Sequence, residues 1–379
     1  MPFPPLRRWQ SWSAVGLLAL LALYLASHQH LRAAGLLLRM MDDNASGPIA
    51  GFSRHAVTET KYHLPTEGGP VAARLFTPQG TDDPPAIVLV HGLQHLGIDE
   101  PRLIKFARTI AESGIVVVTP QLPGIAQYEI SAETIRSIGH SVQAFSASRR
   151  GRPVGVVGMS FSGGLALIAA ADPAVMPHVA FVVAIGAHHD LSRVATFYAT
   201  GEIAGADGRT IKTRAHEYGP LVIVFGSVED FFSPADAPIA KEAMRLLLYE
   251  EVAAAKAKAD ALSPPGRKRM QELFSHEHSG IQPVLLKNIE RNRPRLLGLS
   301  PAGKLQALEV PVLLLHGAGD DIIPASELHW LEREIPPDML KQSLVTPLLS
   351  HVDLQNVTLR DRLAVVHFMA ILLQMASQT

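Results

Sequence analysis

Cysteine is absent from this chain of 379 residues. Its absence excludes disulfide bonds, zinc sites built on thiolates and catalysis by a thiol, but it leaves the redox compartment open. An excess of charge of one sign is also lacking, because the formal net charge is −1 at pH 7. The charge therefore gives no reason to expect a nucleic-acid partner. Hydrophobic residues make up 47% of the chain, which is enough for a large core.

The segment around Ser160 is the most informative part of the sequence. An apolar run from Pro153 to Val157 leads into Gly-Met-Ser-Phe-Ser-Gly-Gly, and a helix-like stretch from Leu165 to Ala171 follows. Small residues two positions before and two positions after a serine permit a tight strand-to-helix turn that exposes the hydroxyl. The second small position is occupied by Ser162, where glycine is usual. We predict that Ser160 is a nucleophile on such a turn.

Two later segments supply the partners that a nucleophilic serine needs. The apolar run from Pro311 to Leu315 leads to a turn that contains Asp320, and His351 follows an extended stretch. A serine hydroxyl is a weak nucleophile until an imidazole takes its proton, and a carboxylate must orient that imidazole. We predict a catalytic triad in which His351 is the base and Asp320 orients it.

An oxyanion-binding loop is also visible in the sequence. The apolar run from Ala86 to Val90 has the pattern of a buried strand, and His91, Gly92 and Leu93 follow it directly. We predict that the backbone N–H groups of Leu93 and Phe161 bind the developing oxyanion.

These motifs resemble the α/β-hydrolase superfamily, over about Arg54 to Met375, and within it the bacterial esterases and the dienelactone-hydrolase-like proteins. The shared features are a His-Gly loop at His91, the turn at Ser160 and an Asp-x-x-x-Pro turn that ends at Pro324. Dienelactone hydrolases use a cysteine nucleophile, so the lack of cysteine favours serine chemistry here. The resemblance implies an α/β fold and a serine hydrolase that cleaves carboxylic esters without a cofactor.

The order of predicted elements agrees with that fold. A hairpin of edge strands is followed by apolar strands that alternate with amphipathic helices, which predicts a mostly parallel, doubly wound sheet with helices on both faces. The predicted hairpin strands are His55–Leu64 and Val71–Thr77. The predicted helices are Glu100–Ser113 and Ser131–Ser148, and two further predicted strands are Ile115–Thr119 and Val179–Ile185.

A long insertion, at about residues 190–309, separates the last two groups of predicted strands. Lys241 to Ala261 has a helical pattern, whereas the apolar run Leu221 to Phe225 fits either a strand or a buried helix. We interpret the insertion as a helical lid that shapes the substrate pocket. The alternative is a second packing layer with no role in substrate choice.

Four residues near the predicted strand ends are candidates for the substrate pocket. His91 and Gly92 belong to the predicted oxyanion loop, where the His-Gly pair also serves to make a tight turn. His188 and His189 follow the strand that ends at Ile185. No third ligand stands at metal spacing from these two histidines, so pocket lining is favoured over a metal site.

The N-terminal segment has the features of a membrane anchor. Arg7 and Arg8 precede a stretch from Trp9 to Leu31 without formal charge, whose apolar centre is Ser13 to Ala26. As a helix this stretch would be about 35 Å long, enough to cross a bilayer. A cleaved signal peptide and a soluble amphipathic arm are the alternatives. We predict an anchor and juxtamembrane segment over residues 1–40, a linker over 41–53 and a hydrolase domain over 54–379.

Three other functions use the same sequence features. A thioesterase or an acyltransferase would use the same triad, because only the group that resolves the acyl-enzyme differs. A hydrolase fold without catalysis would serve as a binding module. Loss of a triad residue would indicate such a module, and the sequence retains all three.

The arginines before the apolar stretch predict a hydrolase domain on the far side of a cytoplasmic membrane, in a periplasmic location. We expect the full-length protein to stay with membranes after a carbonate wash and to be cleaved by protease added to spheroplasts. Recovery in the soluble fraction would contradict the anchor, and protection from the protease would reverse its orientation.

Overall fold

The structure is a computed structural model that describes residues 27–274, 280–349 and 358–379. The predicted catalytic base His351 and the apolar centre of the predicted anchor, which ends at Ala26, lie outside the described residues. None of the helices in the described ranges is both long and apolar enough to cross a membrane.

Eight strands of the described chain form one sheet, in the order β1-β2-β4-β3-β5-β6-β9-β10. The first two strands are an antiparallel hairpin at one edge, β2 also runs antiparallel to β4, and the other pairs are parallel. This confirms the predicted mostly parallel sheet and its edge hairpin. The strands are β1 Val57–Thr66, β2 Gly69–Pro78, β3 Ala86–Val90, β4 Val116–Pro120, β5 Val154–Met159, β6 Val179–Ile185, β9 Val312–Gly317 and β10 Leu340–Thr346; a separate small hairpin contains β7 Glu202–Ala204 and β8 Thr210–Lys212.

Helices connect the strands and cover both faces of the sheet. The described chain begins in a helix, α1, over residues 27–41. The helices that follow are α2 Pro101–Ala111, α3 Pro123–Ala126, α4 Ala132–Ser148, α5 Phe161–Ala170, α6 Leu191–Thr200, α7 Tyr218–Phe225, α8 Ala237–Leu248, α9 Val252–Ala259, α10 Pro264–Phe274, α11 Gln282–Gly298, α12 Ser326–Glu334 and α13 Leu359–Ala376.

The central strands are almost wholly apolar because both of their faces are buried. Along β3, Ile87 and Leu89 belong to one hydrophobic cluster, whereas Val88 and Val90 belong to another on the opposite face. Successive side chains of a strand point to opposite faces, so a strand between two helical layers needs apolar residues throughout. The strand order reverses at β3, which pairs with both β4 and β5. Ligands of parallel sheets bind at such a reversal, beyond the carboxyl ends of the strands.

The insertion between β6 and β9 is mostly helical. The ambiguous run at Leu221 to Phe225 lies in α7, a helix, and packs in the insertion's own hydrophobic cluster. The predicted helix over Lys241 to Ala261 is divided into α8 and α9. Glu250 lies between them with φ of 65°, a left-handed conformation that a continuous helix cannot contain.

Helix α1 is packed on the α/β core. Ala33 and Leu36 are buried, and Arg39 is only 4% exposed. The Arg39 Nε atom lies 2.9 Å from a carboxylate oxygen of Glu112, just after α2, and an Arg39 NH group donates to the carbonyl of Ala50. The described part of the predicted juxtamembrane segment therefore lies against the core, and the predicted domain boundaries remain predictions.

The buried Arg39–Glu112 pair gives a stability prediction. We expect Arg39→Ala to lower the free energy of unfolding by about 2 kcal/mol, because it removes the buried partner of Glu112 and the hydrogen bond to Ala50, and leaves the carboxylate with the half-exposed Arg54. Urea denaturation of a variant without residues 1–26 would measure this loss.

The matched control is Arg54→Ala, because Arg54 lies 2.7 Å from the same carboxylate but is 45% exposed. Exposed pairs contribute about 1 kcal/mol or less. Equal losses in the two variants would show that burial does not distinguish these two pairs.

Candidate active site

Ser160 lies on a strained turn between β5 and α5. Its φ of 56° and ψ of −133° are rare for a residue with a side chain. The turn is held by a hydrogen bond of 2.7 Å from the Ser160 N–H to the carbonyl of Ile185, at the end of the neighbouring strand β6. Such strain persists only where the surrounding structure fixes it, and it is common at catalytic residues. The conformation is that of the predicted nucleophile turn.

The glycines around Ser160 are required by close packing. A Cβ atom at Gly158 would lie 2.5 Å from the backbone oxygen of Ser162, and one at Gly163 would lie 2.9 Å from the Cβ of Ala187. Contacts under 3.0 Å force the backbone to move. The turn can therefore close only where these positions lack side chains.

Ser162 explains the departure from the usual glycine. Its side chain is completely buried, and its hydroxyl donates a hydrogen bond of 2.6 Å to the carbonyl of His91. His91 immediately precedes Gly92 in the oxyanion loop, which we define as residues 91–96. The serine thus links the nucleophile turn to the loop that has to face it.

The oxyanion loop is close to Ser160. A Cβ atom at Gly92 would lie 3.5 Å from the Cβ of Ser160. Among the described residues, the N–H groups of Leu93 and Phe161 donate no hydrogen bond to another group. Both predicted oxyanion donors are therefore available to a ligand.

His91 has a structural role in this loop. Its Nε2 atom accepts a hydrogen bond of 3.1 Å from the N–H of Leu122, and its Nδ1 atom donates to the carbonyl of Gly92 over 2.9 Å. Burial lowers the pKa of His91, which favours the neutral ring that this pattern needs. Both ring nitrogens are occupied, so the side chain shapes the loop.

Ser160 and Asp320 line the same cavity, which has a volume of about 360 Å³. The cavity lies at the carboxyl ends of β3, β5, β6 and β9, where the sheet order predicts a ligand site. Its other lining residues include His91, Gly92, Leu93, Gly186, Asp321 and Ile322. The structure thus places Ser160 and Asp320 in one cavity with Leu93 of the oxyanion loop.

Asp320 is held by its own turn. Its Oδ1 atom accepts hydrogen bonds from the N–H groups of Ile322, at 3.0 Å, and Ile323, at 2.9 Å. Its Oδ2 atom lies 3.5 Å from Nε2 of His316, which itself contacts the carbonyl of Ile323 at 2.7 Å. Burial raises the pKa of Asp320 above its usual value, and it lowers the pKa of His316. A neutral His316 leaves the carboxylate as the charged group of the pair at neutral pH.

His188 and His189 are not among the residues that line the cavity around Ser160, and their place in the substrate pocket remains a prediction. His188 is fully buried, its Nε2 atom contacts the carbonyl of Leu299 at 3.2 Å, and burial lowers its pKa to about 4. His189 lies 2.6 Å from a carboxylate oxygen of Glu334.

A buried carboxylate that no sequence pattern predicts also supports this region. Glu327, on α12, is completely buried and accepts hydrogen bonds from the backbone N–H groups of His189 and Asp190. Its other oxygen accepts from Arg193 Nε at 2.6 Å. A glutamate in a helix gives no sequence signal of burial, because its partners are far away along the chain. In the described ranges, no group of three His, Cys, Asp or Glu side chains is arranged to hold a metal ion.

A second cavity of about 290 Å³ lies between the insertion and the core. The wall of this cavity is largely apolar and includes Phe161. None of its lining residues also lines the cavity around Ser160. We call it the lid cavity; its apolar lining includes Ile130, Leu191, Val194, Ile223, Leu296 and Leu299.

Comparison with known proteins identifies the fold. No protein-family model matches the chain, and no curated relative is similar to it. A puromycin hydrolase is 13% identical with a TM-score of 0.50, over 88% of this chain and 40% of that one. An esterase from Pyrobaculum calidifontis is 16% identical with a TM-score of 0.47, over 93% and 92% of the two chains. An acylaminoacyl peptidase from Pyrococcus horikoshii is 12% identical with a TM-score of 0.45, over 77% and 37%.

The strand order and the similarity to the puromycin hydrolase show that the chain has the α/β-hydrolase fold. The predicted α/β-hydrolase sheet is therefore confirmed. The chain spans about two fifths of the length of the puromycin hydrolase. At these identities the similarity concerns the fold, and the activity has to be argued from the site.

The two adjacent carboxylates of the acid turn give a prediction, because both Asp320 and Asp321 line the cavity around Ser160. We expect Asp320→Asn to lower kcat for ester hydrolysis by about 10³- to 10⁴-fold, the effect of losing the carboxylate that orients a catalytic histidine. Asp321→Asn is the matched variant, and we expect a much smaller loss. Steady-state kinetics on both variants would decide, and a larger loss in Asp321→Asn would reverse the assignment.

Proposed function

We propose that this protein is a serine hydrolase that cleaves carboxylic esters through an acyl-enzyme. One observation supports this most strongly: Ser160 stands on a strained turn, beside two N–H groups with no partner in the described chain, in a cavity that also contains Asp320. A strained serine with ready oxyanion donors is suited to acyl transfer.

In the proposed reaction, the Ser160 hydroxyl oxygen attacks the ester carbonyl carbon while His351 takes the hydroxyl proton. The N–H groups of Leu93 and Phe161 stabilise the negative oxygen of the tetrahedral intermediate, and each is worth about 3–4 kcal/mol in comparable sites. His351 then gives its proton to the leaving alcohol as the ester C–O bond breaks. Water, deprotonated by the same histidine, hydrolyses the acyl-enzyme and restores Ser160.

The charge on Asp320 is needed throughout this cycle, because it orients His351 and stabilises the imidazolium. Burial raises the pKa of Asp320, so its charge is lost at a higher pH than that of an exposed aspartate. Protonation of Asp320 should therefore lower the rate on the acid side of the pH–rate profile.

The apolar lining of the lid cavity favours a substrate that carries an apolar group. Its wall includes Phe161, the residue next to the nucleophile, and several aliphatic side chains of α6, α7 and α11. Pockets of this kind bind ligands mainly by burial of apolar surface. We expect esters with a medium-length acyl chain to be better substrates than acetates. Membrane attachment through the N-terminal segment is part of the proposal and rests on the sequence alone.

The test is Ser160→Ala, measured with p-nitrophenyl esters of graded acyl length and with a fluorophosphonate probe. We expect turnover and labelling to be lost almost completely, because a triad serine acts as a unit with its base. Mass spectrometry of the labelled wild-type protein should place the probe on the peptide that contains Ser160. Half-retained turnover in the variant, with an unchanged unfolding transition, would overturn the proposal.

A further inference from the structure

The insertion holds the oxyanion loop at two points. The hydroxyl of Tyr218, at the start of α7, donates a hydrogen bond of 3.3 Å to the carbonyl of Leu93. The ring of Tyr249, just after α8, stacks on His95 with 4.5 Å between ring centroids and 22° between the planes. Both contacts join residues that are far apart along the chain, so they depend on the position of the insertion.

The hydrogen bond from Tyr218 is made in a buried environment. Burial raises the pKa of Tyr218 well above its ordinary value, so the phenol keeps its proton and can only donate to the carbonyl. The Leu93 side chain also packs against the cluster formed by the insertion. Leu93 is thus fixed by a polar contact on its backbone and an apolar contact on its side chain.

The Leu93 carbonyl and the Leu93 N–H are on either side of one Cα atom. Holding the carbonyl therefore restricts the direction in which the N–H points. On the other side of the loop, the carbonyl of His91 is bound by Ser162 of the nucleophile turn. The peptide unit that carries the Leu93 N–H lies between these two bound carbonyls, and its own carbonyl, that of Gly92, accepts a hydrogen bond from His91 Nδ1. An oxyanion donor is effective only if it is already aligned, because reorientation during the reaction would cost free energy.

We propose that Tyr218 is a positioning residue that aligns the Leu93 N–H, so that the oxyanion site is complete only when the insertion is seated on the core. The inference rests on the proposed function of the site. It predicts that the insertion contributes to stabilisation of the transition state, in addition to any contact that it makes with the substrate.

Ser141 provides a control for Tyr218. Its side chain is completely buried, and its hydroxyl donates over 2.7 Å to a backbone carbonyl, that of Ser137. Both of these residues belong to α4, outside the oxyanion loop and the insertion. Ser141→Ala and Tyr218→Phe therefore each remove a buried hydroxyl that is bonded to a carbonyl, and only the second removes a bond to the loop.

The experiment compares the two variants in the full-length protein. We measure kcat and KM for a p-nitrophenyl ester, together with the inhibition constants of a trifluoromethyl ketone and of the matching methyl ketone. The first ketone forms a tetrahedral adduct whose oxygen needs the oxyanion donors, so the ratio of the two constants reports on donor alignment. Urea unfolding of each variant reports the loss of stability.

We expect Tyr218→Phe to lower kcat and the inhibitor ratio together, by about 5- to 50-fold, which is less than complete loss of a donor. KM should change little. Ser141→Ala should lose stability but keep the wild-type inhibitor ratio. Equal ratios in both variants and the wild type would overturn the positioning role. If Tyr218→Phe does not fold, Tyr249→Leu, which removes the stacked contact, should lower the ratio, and an unchanged ratio there would overturn the role.

Measurements on the wild-type protein distinguish failure of the proposed function from failure of the Tyr218 role alone. Absence of both ester turnover and fluorophosphonate labelling at Ser160 would overturn the proposed function and the role of Tyr218 with it. Normal labelling with an unchanged ratio in the variants would overturn only the role of Tyr218.

Discussion

The close approach of the chain to itself at Ser160 is the constraint on which the rest of the site depends. β5, α5 and the end of β6 meet there with no room for side chains at Gly158 and Gly163. The backbone can hold its strained conformation only because the Ser160 N–H is bound to β6 and the Ser162 hydroxyl is bound to the oxyanion loop. A sheet with buried faces on both sides makes this turn rigid, so the hydroxyl and the oxyanion donors keep their relative positions.

Much of the fold was predictable because its signals are local. The apolar runs of β3 and β4 reflect burial on both faces, and the glycine spacing around Ser160 reflects one tight turn. The element order of an edge hairpin followed by alternating strands and helices then defines the sheet. Asp320 was found because a turn after a buried strand reaches the same end of the sheet as Ser160.

The features that were missed depend on distant partners. Nothing near His188 in the sequence indicates its contact with the carbonyl of Leu299, and nothing near Tyr218 indicates its hydrogen bond to the carbonyl of Leu93. The apolar run from Leu221 to Phe225 fits a strand and a buried helix equally well. It forms a helix because it packs among the other helices of the insertion. Ser162 looked like a tolerated substitution, whereas its hydroxyl makes a specific contact.

The two ends of the insertion have a consequence for how proteins of this fold diversify. The Leu191 N–H is bound to the Ser300 hydroxyl at 2.8 Å, and the Ala302 N–H is bound to the carbonyl of His189 at 3.1 Å, so the chain leaves and re-enters the core at one narrow neck. Lengthening a segment whose ends are already joined costs little free energy of folding, about 0.6 kcal/mol for each doubling of its length. The insertion can therefore behave as an exchangeable module, and a replacement would have to preserve the neck and the contacts with the oxyanion loop.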